Sequence, residues 1–160
     1  MPTSTPLAAD WRLCRFRELD VVELQHIYTA RQQVFVVEQA CAYLDADGVD
    51  EQAWHLAAWA PSQRLPLAYA RLVEPGVKYA EPSIGSVITT EAARGTGLGR
   101  ELVRRAVAHC DRLWPGLGIR ISAQSQLEAF YGGFGFRPVG ERYLEDNIPH
   151  TEMLRTAPAA

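Results

Sequence analysis

Apolar and polar positions change their period along this chain, and each change marks an element. Residues 11–16 read as a short strand, with Trp11 and Leu13 on one face. From Asp20 the period lengthens. Leu24, Ile27, Tyr28, Arg31, Val34 and Phe35 recur at three- and four-residue spacing, as on one side of a helix. Asp20 suits an N-cap, with Glu23 three residues on to complete a capping box. Residues 41–51 are acidic and turn-rich, which predicts a solvated surface loop. Apolar runs at 54–59 and 67–73, joined through Ala60-Pro61-Ser62-Gln63-Arg64, predict an antiparallel hairpin.

Pro75, Gly76 and Pro82 interrupt the pattern before a β-branched run at 84–90. A glycine-rich turn then opens into a helix. Leu98, Leu102, Val103, Ala106, Val107 and Cys110 make its apolar stripe. Arg100, Glu101, Arg104, Arg105 and Arg112 make its polar face, and Pro115 and Gly116 end it. With a fifth strand at 118–123 this is a βαβ unit, whose crossover should be right-handed. A short helix at 126–134 and late strands at 137–144 and 150–154 follow, before a tail from Thr156 that is expected to fray. The order β-α-β-β-β-α-β-α-β-β predicts one α/β (α+β) domain over residues 1–160, ordered from about residue 8 to about 155. Its sheet is expected to be mixed and mostly antiparallel, with a central parallel pair and helices on both faces.

Composition narrows the function classes. The chain has 160 residues, 48% hydrophobic and 22% charged, as in an ordinary globular domain. A formal charge of −3 supplies no global basic field for nucleic acid or an anionic membrane, so neither is expected as a partner. No apolar run approaches the roughly 20 residues of a membrane span, and residues 1–6 lack the basic and apolar regions of a secretory leader. Cys14, Cys41 and Cys110 form neither a CxxC pair nor an even set, which favours a reducing, cytoplasmic setting. The Asp45-Ala46-Asp47-Gly48-Val49-Asp50-Glu51 stretch invites a calcium reading. It lacks EF-hand order, and Leu56 stands where the bidentate Glu belongs, so no metal is expected.

The chemistry concentrates at Arg94-Gly95-Thr96-Gly97-Leu98-Gly99. A glycine turn running into a helix offers free N–H groups and the positive end of a helix dipole to an anion. The dinucleotide pattern G-x-G-x-x-G fails because the third glycine arrives one residue early, and no Gly-Lys-Ser/Thr follows to make a P-loop. The string instead fits [Q/R]-x-x-G-x-[G/A] and resembles the acyl-CoA pyrophosphate loop of the GNAT acetyltransferase superfamily. Phe130-Tyr131-Gly132-Gly133-Phe134-Gly135-Phe136 is similar to that superfamily's F-Y-x-x-x-G-F. Three further strings are similar to its ElaA-like branch. They are Arg31-Gln32-Gln33-Val34-Phe35-Val36-Val37-Glu38-Gln39-Ala40-Cys41-Ala42-Tyr43, then Ser122-Ala123-Gln124, then Tyr143-Leu144-Glu145-Asp146-Asn147-Ile148-Pro149-His150. Ser86 and Asn147 depart from the branch, standing where Arg and Gly would be expected.

The resemblance implies a GNAT fold in which the strands at 84–90 and 118–123 splay apart to admit pantetheine. It implies acetyl-CoA as cosubstrate, with direct transfer to an amine of a small molecule or peptide, and a possible homodimer. Carried over residue by residue, Gly95, Thr96, Gly97, Leu98 and Gly99 would hold the pyrophosphate, with Arg94 and Arg100 adding charge. The backbone of Val87, Ile88 and Thr89 would pair with pantetheine, and Gln124 and Phe130 would complete the cofactor contacts. An N–H near Ile88 is the candidate oxyanion donor. Tyr131 is the candidate general acid, because a phenol can protonate a departing thiolate. His55, on a central strand, is the candidate base. Glu38, Glu145 and His150 fall in branch-specific strings that could shape the acceptor pocket, Glu38 with a possible catalytic role, and Arg71 could bind an acidic group of the acceptor. His26 and His109 read as solvated, and Cys41 lacks a base signature that would make it a nucleophile. The competing reading is a non-catalytic acyl-CoA-binding sensor.

Overall fold

The computed structural model describes residues 8–159; the first seven residues, whose composition argued against a leader, and Ala160 lie outside them. Strand β1 (Asp10–Arg15) leads through a short 3-10 turn to α1 (Val21–Gln32). Asp20 caps that helix as its spacing predicts. The Glu23 N–H donates to the Asp20 carboxylate at 2.7 Å, and the Asp20 N–H donates to the Glu23 carboxylate at 3.1 Å. The helix then widens into a π-helical turn, Gln33–Glu38, a form often found near functional sites.

Strands β2 (Ala53–Trp59), β3 (Ala68–Val73) and β4 (Ser83–Thr89) follow, then α2 (Leu98–Leu113), β5 (Ile119–Gln124) and α3 (Glu128–Gly132). The predicted late strand at 137–144 divides into β6 (Arg137–Pro138) and β7 (Tyr143–Glu145). Pro138 has no N–H to extend a ladder, and Gly140 turns the backbone at φ 80°. Strand β8 (Ile148–Arg155) completes the fold. The two residues between β7 and β8, Asp146 and Asn147, both have positive φ (49° and 62°), as the tightest hairpin turns require.

Two antiparallel sheets result, one ordered β1-β2-β3-β4 and the other β5-β8-β6 with β7 also on β8. Strands β4 and β5, joined through α2, begin side by side, where the Arg120 N–H donates to the Pro82 carbonyl at 3.0 Å. No ladder continues from that bond, so the expected central parallel pair is an adjacency that opens into a gap. On the other side, β4 slips register against β3 between Tyr69 and Arg71, which places a bulge at Ser86–Val87. Ser86 holds φ 49° there.

Helices cover both faces of the first sheet. Leu102, Val103, Ala106 and Cys110 of α2 pack with Leu56, Ala58, Ala68 and Ala70. The alternate residues of the same strands, Ala57 and Tyr69, pack with Ile27 and Ala30 of α1. Among the described residues, no helix is long and apolar enough to cross a membrane.

Candidate active site

The glycine turn lies where β4 gives way to α2. Gly95 and Gly97 hold φ 77° and 86°, and a Cβ added at either would meet open space, so backbone conformation is what selects glycine. Thr96 Oγ1 donates to the Ala93 carbonyl and accepts a long bond from the Leu98 N–H at 3.4 Å. Among the described residues, no partner engages the N–H groups of Gly95, Gly97, Gly99 or Arg100. Four free donors at the start of a 16-residue helix fit a pyrophosphate. Gly99 sits over Thr89, which ties this cradle to the end of β4. Arg94 is folded back onto the Thr89 carbonyl (3.2 Å) and the Glu38 carboxylate (2.6 Å). Glu38 is therefore bound to the glycine turn through Arg94 and does not line the cleft.

The gap between β4 and β5 opens into a cavity of about 460 Å³. It gathers several of the predicted residues: Val87, Arg71, Gln124, Tyr131, Glu145 and His150. Ile88 and Thr89 do not line it. The Thr90 N–H donates to the Leu67 carbonyl, so strand alternation turns the Ile88 N–H toward β3 as well. That position cannot serve as the oxyanion donor, and Val87, on the cavity wall at the bulge, is the candidate in its place. Gln124 reaches across the mouth to Gln39, its amide donating at 3.2 Å.

Tyr131 is buried on α3, edge-on to Phe130 (5.2 Å between centroids) and Phe136 (6.0 Å). Burial pushes its phenol up to about 12, so the hydroxyl keeps its proton at neutral pH. Phe130 packs against Phe134 and lies 5.9 Å from the Arg100 guanidinium, so it supports Tyr131 and the cradle together.

His55 is not at the cleft. It is 1% exposed, and both ring nitrogens are engaged. The Asp50 carbonyl can only accept, so Nε2 donates to it at 2.9 Å, and Nδ1 accepts from the Tyr69 hydroxyl at 2.7 Å. Burial lowers its pKa against the pull of Asp50, which leaves a neutral core imidazole with no lone pair to offer.

Arg71 reaches the cavity wall, but its charge is already answered. Asp47 grips it with both oxygens (2.7 and 2.8 Å), and Asp50 accepts a third bond at 3.2 Å. Its Nε, beside Gly85, is buried without a partner among the described residues. Arg31, fully buried, binds Asp45 and Asp50 at 2.8 Å each. Tyr28 and Tyr43 donate to the remaining oxygens of Asp50 and Asp45. Burial opposes the charge on Arg31, but the Asp50 and Asp45 carboxylates outweigh it and hold its pKa up. Burial likewise works to raise Asp47, and Arg71 reverses it to about 2. The stretch expected to be a solvated loop does expose Ala42, Leu44, Ala46, Asp47 and Gly48, but its aspartates pair with the buried Arg31 and Arg71 and so frame one wall of the cleft. Its signal was present as an arginine inside an apolar helical stripe and another in the middle of an apolar strand, with three aspartates between.

On the opposite wall, the tight turn brings β7 back along β8 in the register Tyr143↔His150 and Glu145↔Ile148. Tyr143, Glu145 and His150 therefore share a face. The Tyr143 and His150 rings stack 6.1 Å apart, and His150 Nε2 lies 3.3 Å from the Glu145 carboxylate. Ser122 from β5 bonds to the Tyr143 hydroxyl and donates to Glu145 at 3.4 Å. Residue spacing alone gave no reason to single out Ser122 or Tyr143.

Comparison with known proteins agrees with this geometry. The profile of the acetyltransferase (GNAT) domain family matches residues 36–157. The chain is 44% identical over 149 residues to a UPF0039 protein of Synechocystis, covering 93% of this chain and 96% of that one. It is 38% identical over 148 residues to the Escherichia coli protein ElaA, covering 91% and 95%. Among solved structures, an acyl-CoA N-acyltransferase from Pseudomonas aeruginosa superposes with a TM-score of 0.88 at 42% identity, covering 93% of this chain and all of the other. The crystal structure of Escherichia coli ElaA gives 0.85 at 37% identity, covering 92% and 99%.

Proposed function

This chain belongs to the GNAT acetyltransferase family and is an acyltransferase, and from that premise we propose that it carries acetyl from acetyl-CoA directly to a primary amine. One observation carries the proposal: the strand whose far end meets a cradle of four free backbone donors also walls, through its bulge, the cavity that holds Tyr131.

In this reading the N–H groups of Gly95, Gly97, Gly99 and Arg100 hold the pyrophosphate, and Arg94 exchanges Glu38 for it. The backbone of Val87, on the cavity wall, and of Thr89, beside the cradle, borders the pantetheine arm. The bound thioester supplies the electrophilic acyl carbon. Val87 is placed to donate to the acyl oxygen as charge gathers there. Tyr131, protonated at neutral pH, gives its proton to the sulfur as the C–S bond breaks. Arg31 and Arg71 act through the wall they hold in place.

The test is a screen of amines with acetyl-CoA, read by release of free thiol. The wild-type protein should release thiol only when a suitable amine is present. Tyr131→Phe should lower kcat by about 100-fold, while acetyl-CoA binding stays within about twofold because the cradle is untouched. Tight acetyl-CoA binding with no amine-dependent thiol would favour the non-catalytic sensor. Wild-type turnover in Tyr131→Phe would remove the assignment of the acid.

A further inference from the structure

His150 and Glu145 present a mismatch that points to a missing partner. The Ile148 carbonyl, 2.7 Å from His150 Nδ1, can only accept, so Nδ1 carries the proton and Nε2 carries a lone pair. That lone pair is 3.3 Å from a carboxylate oxygen that is also only an acceptor. While the ring is neutral, two acceptors thus face each other on the cavity wall, and a proton gained at Nε2 would turn the clash into an ion pair. His150 is largely buried and Glu145 about half exposed, and both line the cavity, so a donor that satisfies them must come from its contents. The pair's other titratable neighbours are Tyr143 and Asp146 on the same hairpin and Tyr79 beside them. Tyr131, Cys41, Tyr43 and Lys78 share the cavity from other elements, as do Arg71, Asp45 and Asp47 of the ionic frame.

We propose that the Glu145–His150 pair is the seat of the acceptor ammonium and that His150 Nε2 removes its proton. This rests on the N-acetyltransferase reading and deepens it, since it names a protonated primary amine as the species that binds. A cation with several N–H donors satisfies both acceptors at once. The formal charge of the surroundings agrees, because Arg31 and Arg71 are outnumbered by Asp45, Asp47 and Asp50 in the frame across the cleft.

The proton balance closes. An ammonium loses two protons on becoming an amide. The first passes to His150 Nε2, freeing the nitrogen lone pair to form the C–N bond, and leaves from His150 to solvent. The second replaces the proton that Tyr131 gives to the sulfur as the C–S bond breaks. Glu145 then pairs with the imidazolium, so the charge that arrived on the substrate is held by the same carboxylate throughout.

Two measurements test this. The first needs no turnover: long-range 1H–15N correlation of the imidazole resonances, assigned by their loss in His150→Gln. It should show His150 with its proton on Nδ1 and a bare Nε2. A proton on Nε2 in the neutral ring would overturn the proposal. The second is the pH dependence of kcat/KM with an amine active in the wild type. With a base on the protein to remove the proton, the wild type should reach its plateau well below the pH at which the amine deprotonates, about 10. His150→Gln should lose at least about 100-fold at pH 7 and recover about tenfold per pH unit as free amine accumulates. Its affinity for acetyl-CoA should be unchanged. A deficit equal at every pH would mean that His150 is structural. No amine-dependent turnover in the wild type would overturn the N-acetyltransferase reading itself, an outcome separate from either failure of His150.

Discussion

The two walls of the cleft carry similar residues in opposite states. On one wall, Arg31, Arg71, Asp45, Asp47 and Asp50 form a closed set in which every carboxylate oxygen has a donor. On the other, Glu145 and His150 Nε2 face one another as two acceptors. The first wall has spent its carboxylates on itself and leaves, among the described residues, only the buried Arg71 Nε without a partner, so it can shape a pocket but has little negative charge to offer a substrate. The second holds lone pairs in reserve within reach of the cavity. Charge at a pocket is thus a poor guide to chemistry until its partners are counted, and the unsatisfied group is the informative one.

The harshest way to break this comparison is Arg31→Met. Removing one cation strands the Asp45 and Asp50 carboxylates in the interior, and breaking a buried pair in this manner costs about 3–5 kcal/mol. Chemical denaturation should show that loss as a lower midpoint with little change in slope. A loss below about 1 kcal/mol would mean that the ion pairs are merely tolerated by a core that holds without them.

The consequences of Arg31 also explain which parts of the molecule were legible beforehand. The α2 stripe, the Asp20 capping box and the glycine turn each lie within one continuous short segment, where spacing fixes geometry. The pairing of Arg31 with Asp50 and of Arg71 with Asp47 spans 19 and 24 residues, and only the folded sheet brings those groups together. The same limit misplaced His55. Strand periodicity put it on a central strand but could not say that the face it occupies is filled by Tyr69 and the Asp50 backbone. Glu145 and His150 were found only as members of a resembling string; the tight hairpin that makes them neighbours depends on Asp146 and Asn147 adopting positive φ. Ile88 failed for a subtler reason, since alternation along a strand decides which N–H groups face a gap, and the register was unknown.

A smaller effect on the closed wall comes from acid. The His55 pKa is lowered in the folded protein by burial, so below about pH 6.5 the unfolded chain binds a proton that the folded one refuses. The stability that His55 contributes is therefore complete above that pH and declines as pH falls toward its folded value. Asp47 adds a second loss at lower pH, between about 4 in the unfolded chain and about 2 in the folded one. Urea midpoints measured from pH 7.5 to 5.5 should fall in the wild type and fall less steeply in His55→Gln. Parallel slopes would show that the imidazole is not the group responsible.

The open wall should respond least in stability and most in chemistry. Glu145 is about half exposed, and its contacts are one long bond from Ser122 and the acceptor-to-acceptor approach to His150. Neither supplies much folding energy, so Glu145→Gln should change stability by no more than about 0.5 kcal/mol. The glutamine amide nevertheless brings a donor to the place where the ammonium belongs. It can bond to His150 Nε2, which fills the vacancy from within and removes the negative charge that attracts the substrate. The variant should therefore raise the KM for the amine and lower kcat together, while melting within about 2 °C of the wild type. A variant that unfolds as readily as Arg31→Met would show that the two walls are built alike, and that the facing acceptors are structural after all.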